Sequence, residues 1–436
     1  MTPETRRIPR RCAPLVGGLL LLALAACQTP QATRAPDSAQ APRPEPAAPA
    51  APQRAQLVAS DGKVHVAMLA PMSGPNAQVG RALLNAGQMA LFDLGGNDLA
   101  LEVYDTQGTP QGAYAALQAA RQAQVALVLG PLFSGSAQAI KADAAAYGVP
   151  VLSFSSDEAV AGGGLYTLGI SPAMQVDRVV DFTAGLGVRE YAALTPRSAY
   201  GEAAVAALQA AVARHGGSVT RTVGYSPQGG DLTPEVRELA AAAAKSGGRA
   251  EQRRRAVAEG SAEPLGGGGG FEALLLPAGG EELLNLGSLL PYYDIDPANV
   301  QFLGMQNWND PALTREPALI GGWFAAPEPR AWEVFSRRYA SLYGQQPPRL
   351  ASLGYDAMAV AAVVAADARS AADGAIGRER LENPVGFAGV DGIFRLRPDG
   401  TLERGLAVLE LQPGGAVVRD PAPRSFEAPQ ISLLAY

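Results

Sequence analysis

Short apolar runs alternate along residues 64–154 with longer stretches in which apolar side chains recur every three or four positions. The runs VHVAMLA, LALEVYD, VALVLG and VPVLSF are typical of strands, and the stretches between them are typical of helices. Strands that alternate with helices form βαβ units, in which helices cover both faces of a parallel sheet. This pattern predicts an α/β lobe.

A second series of the same kind follows a helix predicted over residues 173–186. It extends from the strand EYAALTP to the strand VQFLGM, and two further helices are predicted over residues 331–344 and 350–368. The last helix contains Asp356 and many alanines, so we expect it to pack inside the fold rather than to cross a membrane. Residues 386–411 are predicted to form a hairpin around the turn RPDGT. The whole pattern predicts two similar lobes.

Residues 245–270, with the sequence KSGGRAEQRRRAVAEGSAEPLGGGGG, interrupt the second series of strands and helices. Five consecutive glycines and mixed charges indicate a flexible surface insertion, with a loose helix in its first half and disorder elsewhere. Its arginines offer a site for an acidic partner, but we favour a solvated insertion without a specific role.

The chain begins like a bacterial lipoprotein. Four arginines precede an apolar stretch at residues 15–26, which is shorter than the ~20 residues that a membrane span needs. It ends in LAAC, which predicts a lipoprotein signal over residues 1–26 and lipidation of Cys27. The alternative is a plain secretory signal whose cysteine is incidental.

Residues 27–56 are predicted to be a lipidated cysteine followed by a tether. The segment after Cys27 is rich in proline and alanine and has almost no large apolar side chain, so it cannot bury enough surface to fold. An extended tether of this kind advances ~3.1 Å per residue. Gln28 follows the cysteine where an aspartate would retain a Gram-negative lipoprotein at the inner membrane, so we expect an anchor in the outer membrane.

Charge and residue counts exclude several functions. Without its leader the chain has 31 basic and 40 acidic residues, a net charge of −9 that argues against a nucleic-acid partner. The chain has two histidines and two cysteines, and Cys12 lies in the leader. This leaves neither a zinc cluster nor a Cys/His nucleophile pair, and we expect no metal, no cofactor and no disulfide. No carboxylate spacing points to catalysis, so we expect a protein that is not an enzyme.

Several phrases together carry a family resemblance: APMSGPNAQVGRALLNAGQMALFDL, VLGPLFSGSAQAI, VPVLSFSSD, SAYGEAAVAALQAAV and GIFRLRPDGT. Over residues 57–424 they resemble the type I periplasmic-binding-protein fold of leucine-type receptors. Together with the LAAC motif and the tether, the segment NPVGFAGVDGIFRLRPDGTLERGLAVLEL most resembles the penicillin-binding protein activators. Those are outer-membrane lipoproteins whose binding-protein-like domain contacts a peptidoglycan synthase.

The resemblance implies a two-lobed clamshell in which each lobe is a mostly parallel sheet covered by helices. Lobe 1 would comprise residues 57–173 and 328–385. Lobe 2 would comprise residues 174–327 and 386–424, followed by a tail over residues 425–436.

In such a fold, ligands bind beyond the carboxyl ends of the strands, in the cleft between the lobes. The loops PMSGPNA, GPLFSGS and SFSSDE follow strand ends and would converge there. No lysine follows the glycines of GPLFSGS, so this loop is not a phosphate loop. The resemblance instead implies a seat for an α-carboxylate, with Ser134 on the serine of that loop and Tyr200 on a tyrosine of the second lobe. The further cleft candidates are Ser73, Ser136, Ser155 and Ser156. The alternative for Ser73, Ser134 and Ser136 is simple helix capping, worth ~1 kcal/mol.

The ammonium side of the implied pocket differs from that of amino-acid receptors. Asp157 stands where they have a threonine, and Gln306 stands where they have an acid. Asp157 would be a partner for a cationic group through a charge-assisted hydrogen bond. It would equally cap or brace its own loop.

Two functions follow from these features. The first is a non-catalytic periplasmic lipoprotein that binds and activates a peptidoglycan synthase, with or without a cleft ligand. The aromatic residues Tyr292, Tyr293 and Trp308 are candidates for its docking surface because aromatics dominate binding hot spots, although they would equally cover the second lobe. The alternative is a receptor that delivers an amino acid or a similar small polar solute to an ABC transporter.

Overall fold

The computed structural model describes residues 58–96, 98–243, 249–260, 270–371 and 375–426. The predicted leader, the lipidation of Cys27, the tether and most of the predicted tail lie outside these residues. In chain order, the elements of the first half are β1 Val64–Ala70, α1 Ala77–Ala90, β2 Leu99–Asp105, α2 Pro110–Gln122, β3 Leu127–Leu129, α3 Ser134–Tyr147, β4 Val151–Ser153, β5 Leu165–Thr167, α4 Pro172–Gly185, β6 Glu190–Pro196, α5 Ala199–Arg214 and β7 Ser218–Tyr225.

The elements of the second half are α6 Thr233–Ala240, α7 Arg249–Ala258, β8 Ala273–Leu275, α8 Gly280–Tyr292, β9 Gln301–Gly304, β10 Trp323–Ala326, α9 Pro329–Tyr343, α10 Ala351–Ser370, α11 Arg378–Leu381, β11 Phe387–Gly389, β12 Gly392–Leu396, β13 Leu402–Arg404, β14 Ala407–Gln412 and β15 Gly415–Asp420. A π-helix, Leu91–Gly95, follows α1. Short 3₁₀ helices occupy Glu158–Val160, Gln306–Trp308, Pro311–Arg315 and Pro317–Leu319.

The first lobe is built on a parallel sheet with the strand order β2-β1-β3-β4-β5. Alternate residues of β1 enter two different cores because successive side chains of a strand point to opposite faces. Val66 and Met68 pack with residues of α1 and α10, whereas Leu69 packs with residues of α2 and α3. At Gly354 a Cβ would lie 2.2 Å from the Leu83 carbonyl oxygen, so glycine is what lets α10 approach α1 this closely.

The second lobe is built on a seven-stranded sheet with the order β7-β6-β8-β9-β10-β14-β15. The strands from β7 to β10 are parallel, and β14 and β15 continue the sheet in antiparallel fashion. Strands β10 and β15 have no counterpart in the predicted pattern. The two sheets with their covering helices confirm the predicted two-lobed α/β fold.

Strands β11 to β13 form a third, small sheet that belongs to the first lobe. Phe394, Leu396 and Leu402 pack into the same core as β1 and α10, whereas Leu406 and Val408 pack in the second lobe. The assignment of all of residues 386–424 to lobe 2 is therefore wrong for residues 387–404. The chain crosses between the lobes near Gly405, so the predicted hairpin is divided between them.

Helix α10 is long and apolar enough to span a membrane by length and composition, with a mean hydropathy of 1.3 over its most apolar window, and 72 % of that window is buried inside the protein. Thirteen of its residues are buried, among them Asp356. The prediction of a core helix agrees with this packing.

The described part of the 245–270 insertion is more ordered than the sequence predicts. Helix α7 spans Arg249–Ala258, and Arg253 is only 2 % exposed. Its guanidinium lies 2.7 Å from the carboxylate of Glu272, which is also buried. The interpretation of this stretch as a loose, solvated helix is wrong, because a buried ion pair fixes α7 to the base of β8.

Candidate functional site

A small crevice of about 120 Å³ lies at the carboxyl ends of strands from both lobes. First-lobe loops contribute Phe154, Ser156 and Gly169, and the second lobe contributes Tyr200 from the start of α5 and Gln306 from the 3₁₀ helix after β9. The remaining lining residues are Ile170, Gln175, Arg349, Leu350, Ser352, Leu353 and Asp391. This is the place at which an open α/β fold binds ligands.

The first-lobe wall of the crevice contains a charged cluster that the sequence analysis did not identify. Asp391 is buried, and its two carboxylate oxygens accept hydrogen bonds from the Arg349 guanidinium and from the Ser352 hydroxyl. The Ser352 bond measures 2.7 Å. The Arg349 guanidinium also stacks over the Trp332 ring, 4.5 Å from its centroid. Both oxygens of Asp391 are thus already engaged within the protein.

The second-lobe wall is positioned by Gln175 of helix α4. Its side-chain nitrogen donates to the carbonyls of Ile170 and Ser171, and its side-chain oxygen accepts a 2.7 Å bond from the backbone N–H of Gln306. Gln175 is buried, so these bonds hold the Gln306 loop firmly. Tyr200 completes this wall. Tyr200 as a whole is 38 % exposed, and desolvation of its hydroxyl raises the pKa of that group to about 12. It therefore remains a neutral hydrogen-bond donor at physiological pH.

A second buried ion pair supports the charged cluster from behind. Asp356 of α10 accepts hydrogen bonds from the backbone N–H of Val390 and from Arg404 of β13. The side chains of Asp356 and Arg404 are fully buried. Burial raises the pKa of Asp356 to about 6, against the opposing effect of Arg404. The ion pair joins α10 to β13, and the bond from Val390 fixes the residue next to Asp391.

Three of the eight predicted cleft residues, Ser156, Tyr200 and Gln306, line the crevice. The five others, Ser73, Ser134, Ser136, Ser155 and Asp157, do not line it in the described chain. Their contact with a ligand stays a prediction.

Asp157 occupies the position before the 3₁₀ helix Glu158–Val160. Its carboxylate accepts a 3.0 Å hydrogen bond from the backbone N–H of Ala159, and its own N–H donates to the Ser155 hydroxyl. These bonds correspond to the capping alternative. Ser155, which is buried, braces the same loop.

The serines of the GPLFSGS loop do not cap helix α3. Phe133 occupies the cap position without a side-chain bond, and Ser134 is the first helical residue. Ser136 is 1 % exposed, and its hydroxyl has no hydrogen-bond partner within the described residues. Gly130 opens the loop with φ at +93°, and a Cβ there would lie 2.2 Å from the Leu69 carbonyl oxygen. Only glycine fits this turn without strain.

Ser73 contacts Asp105 at the end of β2 rather than a helix end. Partial burial disfavours the charged form of Asp105, but hydrogen bonds from the Ser73 hydroxyl and from the N–H groups of Gln107, Met72 and Ser73 outweigh it and lower its pKa. Ser73 therefore fixes the loop that follows β1.

The aromatic docking candidates have different environments. Trp308 is fully buried, and its indole N–H donates to the Leu276 carbonyl, so its assignment to a docking surface is wrong. Tyr293 packs edge-on against Tyr292 and under the Arg237 guanidinium. Tyr292 is 78 % exposed, and Phe92 of the π-helix, which the sequence analysis did not single out, is 86 % exposed.

No group of three or more His, Cys, Asp and Glu side chains lies together within the described residues in a way that would hold a metal ion. What the crevice offers is hydrogen bonding, through the Ser156 and Tyr200 hydroxyls, the Gln306 amide and the Arg349 guanidinium.

The two lobes and the crevice between them form the two-lobed α/β architecture of a binding-protein fold. The chain belongs to the periplasmic binding protein family, whose model matches residues 63–416. Membership of this family is consistent with a periplasmic location. A curated relative, an uncharacterized protein of Rickettsia prowazekii (strain Madrid E), is 24 % identical over 178 residues. That match covers 41 % of this chain and 47 % of the relative, so the chain matches less than half of the relative's length.

Solved structures of ABC transporter receptors share the fold. A candidate branched-chain amino acid ABC transporter protein of Rhodospirillum rubrum superposes with a TM-score of 0.67 at 19 % identity, covering 82 % of this chain and 99 % of the other. LivJ of Streptococcus pneumoniae, solved in complex with isoleucine, gives 0.56 at 17 % identity over 83 % of this chain and 100 % of LivJ. LivK, a leucine-binding protein of Thermotoga maritima, gives 0.54 at 19 % identity over 81 % and 97 %. At these identities the likeness establishes the fold.

Proposed function

We propose that this protein is a non-catalytic periplasmic lipoprotein that activates a peptidoglycan synthase by direct contact. The observation that carries the proposal is that the Asp391 carboxylate and the Gln175 amide of the interlobe crevice are engaged by other groups of the protein. Asp391 is bonded to Arg349 and Ser352, and Gln175 is bonded to the Gln306 loop. These groups are therefore not free to bind a solute.

The size of the crevice supports the same function. Sites for small molecules and cofactors usually enclose about 300–1,000 Å³, because they bury most of the ligand surface. The crevice measures about 120 Å³. A site of this size suits a few water molecules better than an amino acid with a branched side chain.

In this proposal the folded domain binds the active conformation of the synthase more tightly than the inactive one. Activation is then limited by the difference between the two affinities. Tyr292 is the side chain that we expect at the centre of the contact, because it is aromatic and largely exposed on the second lobe.

The test is a reconstituted synthase reaction with purified bifunctional penicillin-binding proteins, in which the rate of glycan polymerisation and cross-linking is followed as this protein is added. We expect the wild type and Arg349→Ala to activate the synthase. Tyr292→Ser should need an about 30-fold higher concentration for half-activation, which corresponds to ~2 kcal/mol for a hot-spot residue. Phe92→Ser, an equally exposed aromatic on the other lobe, is the matched control and leaves activation unchanged. Absence of activation at any concentration contradicts the proposal.

A second candidate function is that of a receptor that delivers an amino acid or a similar small polar solute to an ABC transporter. The convergence of Ser156, Tyr200 and Gln306 on one crevice favours it, because their hydroxyl and amide groups suit a zwitterion. Thermal unfolding with a panel of amino acids tests it. The receptor function is supported if one amino acid raises the melting temperature and Gln306→Ala abolishes the rise. It is excluded if no amino acid of the panel changes the melting temperature.

A further inference from the structure

A cavity of about 930 Å³, far larger than the crevice, lies along the first half of helix α9, and we call it the α9 groove. Its lining residues are Met89, Glu328, Arg330, Ala331, Val334, Phe335, Arg338, Tyr355, Gly389, Val390, Gly392, Ile393, Val418, Pro421, Ala422, Pro423 and Arg424. It shares no lining residue with the interlobe crevice.

The groove has an apolar floor and a cationic rim. Val334 on its wall is 54 % exposed, which is a large exposure for an apolar side chain beside Phe335 and Tyr355. Arg338 is paired with Asp93, whereas Arg330 and Arg424 form no ion pair within the described part of the chain. Extended apolar surface of this kind marks an interaction site.

The chain itself leads into this groove. Residues 421–424 form one of its walls, and the backbone N–H of Ala422 donates a 3.0 Å hydrogen bond to Glu328 at the start of α9. The next aromatic, Phe426, packs against Arg395 of β12, with the guanidinium 4.7 Å from the ring centroid. The described chain therefore ends beside the strand whose Gly392 and Ile393 line the groove.

We propose that the α9 groove binds residues 427–436 of this same chain, the segment EAPQISLLAY. The segment matches the groove in composition, because Ile431, Leu433, Leu434 and Tyr436 are large and apolar and Glu427 is its only charged side chain. Ten residues span up to about 33–36 Å when extended. The segment is thus long enough to run along the groove from the point at which it leaves Phe426.

Covalent connection makes such an interaction effective even when it is weak. A short flexible connection gives an effective concentration of the order of 1 mM, so a segment with a Kd of about 100 µM as a free peptide is about 90 % bound in the intact chain. The groove walls come from α9 and β12 of the first lobe and from the stretch that follows β15 of the second. The bound segment would therefore contact both lobes.

The test compares the full chain with the same chain ending at Phe426, using a fluorescent synthetic peptide of residues 427–436. We expect the shortened chain to bind the peptide with a Kd near 100 µM by fluorescence anisotropy, and the full chain to bind it at least tenfold more weakly because its groove is occupied. Val334→Glu in the shortened chain abolishes binding. Val363→Glu is the matched control, since Val363 on α10 is also 54 % exposed but does not line the groove.

Three outcomes overturn the proposal: equal peptide binding by the full and shortened chains, no binding by a shortened chain with an unchanged circular dichroism spectrum, or equal losses from the two valine variants. A concentration-dependent dimer that disappears on shortening also overturns it, because the segment would then bind a second copy. If the shortened chain fails to fold, hydrogen exchange measured on the full chain tests the proposal instead. Leu433→Glu with Leu434→Glu accelerates exchange in residues 330–338 if the proposal holds and leaves it unchanged if it does not. None of these readouts involves the synthase, so failure here is separable from failure of the proposed function.

Discussion

At the scale of single residues, the charged groups that shape the crevice are the ones that the sequence left unpredicted. Arg349 and Asp391 are 42 positions apart, and no local pattern relates them. Ser156, Tyr200 and Gln306 were predictable because they follow strand ends, which a parallel sheet gathers at one edge. Arg349 and Asp391 reach the crevice from a helix start and a tight turn, and only tertiary packing brings these together.

We predict that Asp356→Asn lowers the free energy of unfolding by about 3–5 kcal/mol, since it leaves Arg404 as a buried cation without a counter-charge. Replacing both partners by apolar residues, Asp356→Leu with Arg404→Met, restores most of the loss. The control is Asp177→Asn, whose partner Arg214 is half exposed, with an expected effect below about 1 kcal/mol. Urea unfolding measures all three, and an equal effect of Asp356→Asn and Asp177→Asn contradicts the prediction.

A histidine on β1 makes stability depend on pH. The hydrogen bond from His65 to Glu102 raises the pKa of His65, with a smaller contribution from Asp61. A raised folded-state pKa stabilises the protein below about pH 6.5, and this stabilisation is lost as the pH rises through the folded value. We predict that the urea midpoint of the wild type falls more between pH 6 and pH 8.5 than that of His65→Gln. Parallel curves for the two proteins contradict it.

At the scale of elements, hydrophobic period and length predicted most helices and strands of both lobes. The missed strands β5, β10 and β15 have weak signals. β5 and β10 are three and four residues long, and β15 has no buried residue and lies at the edge of its sheet. The insertion helix was misjudged because its composition is polar, whereas its position depends on one buried arginine. Composition reports the average environment of a segment, and the buried Arg253 departs from the average of α7.

We predict that Arg253→Met detaches helix α7 from the second lobe, because it leaves the Glu272 carboxylate buried without its cation. The expected cost is about 3–5 kcal/mol, accompanied by faster hydrogen exchange across residues 249–258. Arg255→Met in the same helix changes an arginine that is 73 % exposed and costs less than about 0.5 kcal/mol. Equal exchange rates in the two variants would show that the ion pair does not hold the helix.

At the scale of the whole molecule, three passages join the lobes within the described residues: one after β5, one between β10 and α9, and one near Gly405. The sequence predicted two lobes from two α/β series, but not that the small sheet β11–β13 returns to the first lobe. The small sheet packs in the first lobe through Phe394, Leu396 and Leu402, and apolar side chains of this kind would also fit the core of the second lobe. The Asp356–Arg404 pair links the small sheet to α10, and a periodic pattern does not record such a pair.

The lipid anchor predicted at Cys27 would fix the whole molecule to a membrane. We expect metabolic labelling with radioactive palmitate to mark the wild-type chain and to be lost in Cys27→Ser, which would then remain in the soluble fraction of the cell envelope. Ser38→Ala, in the same stretch of sequence, is the control and stays labelled. Labelling of Cys27→Ser would assign the lipid to another residue.

We propose that the bonded groups and the small volume of the interlobe crevice leave no seat for an amino acid, and that the protein acts by contact rather than by carrying a solute. Native mass spectrometry of the purified full chain, mixed with a millimolar panel of amino acids, measures this directly. We predict the mass of the protein alone throughout the panel. A stoichiometric adduct with one amino acid, lost in both Arg349→Ala and Gln306→Ala, would contradict the claim.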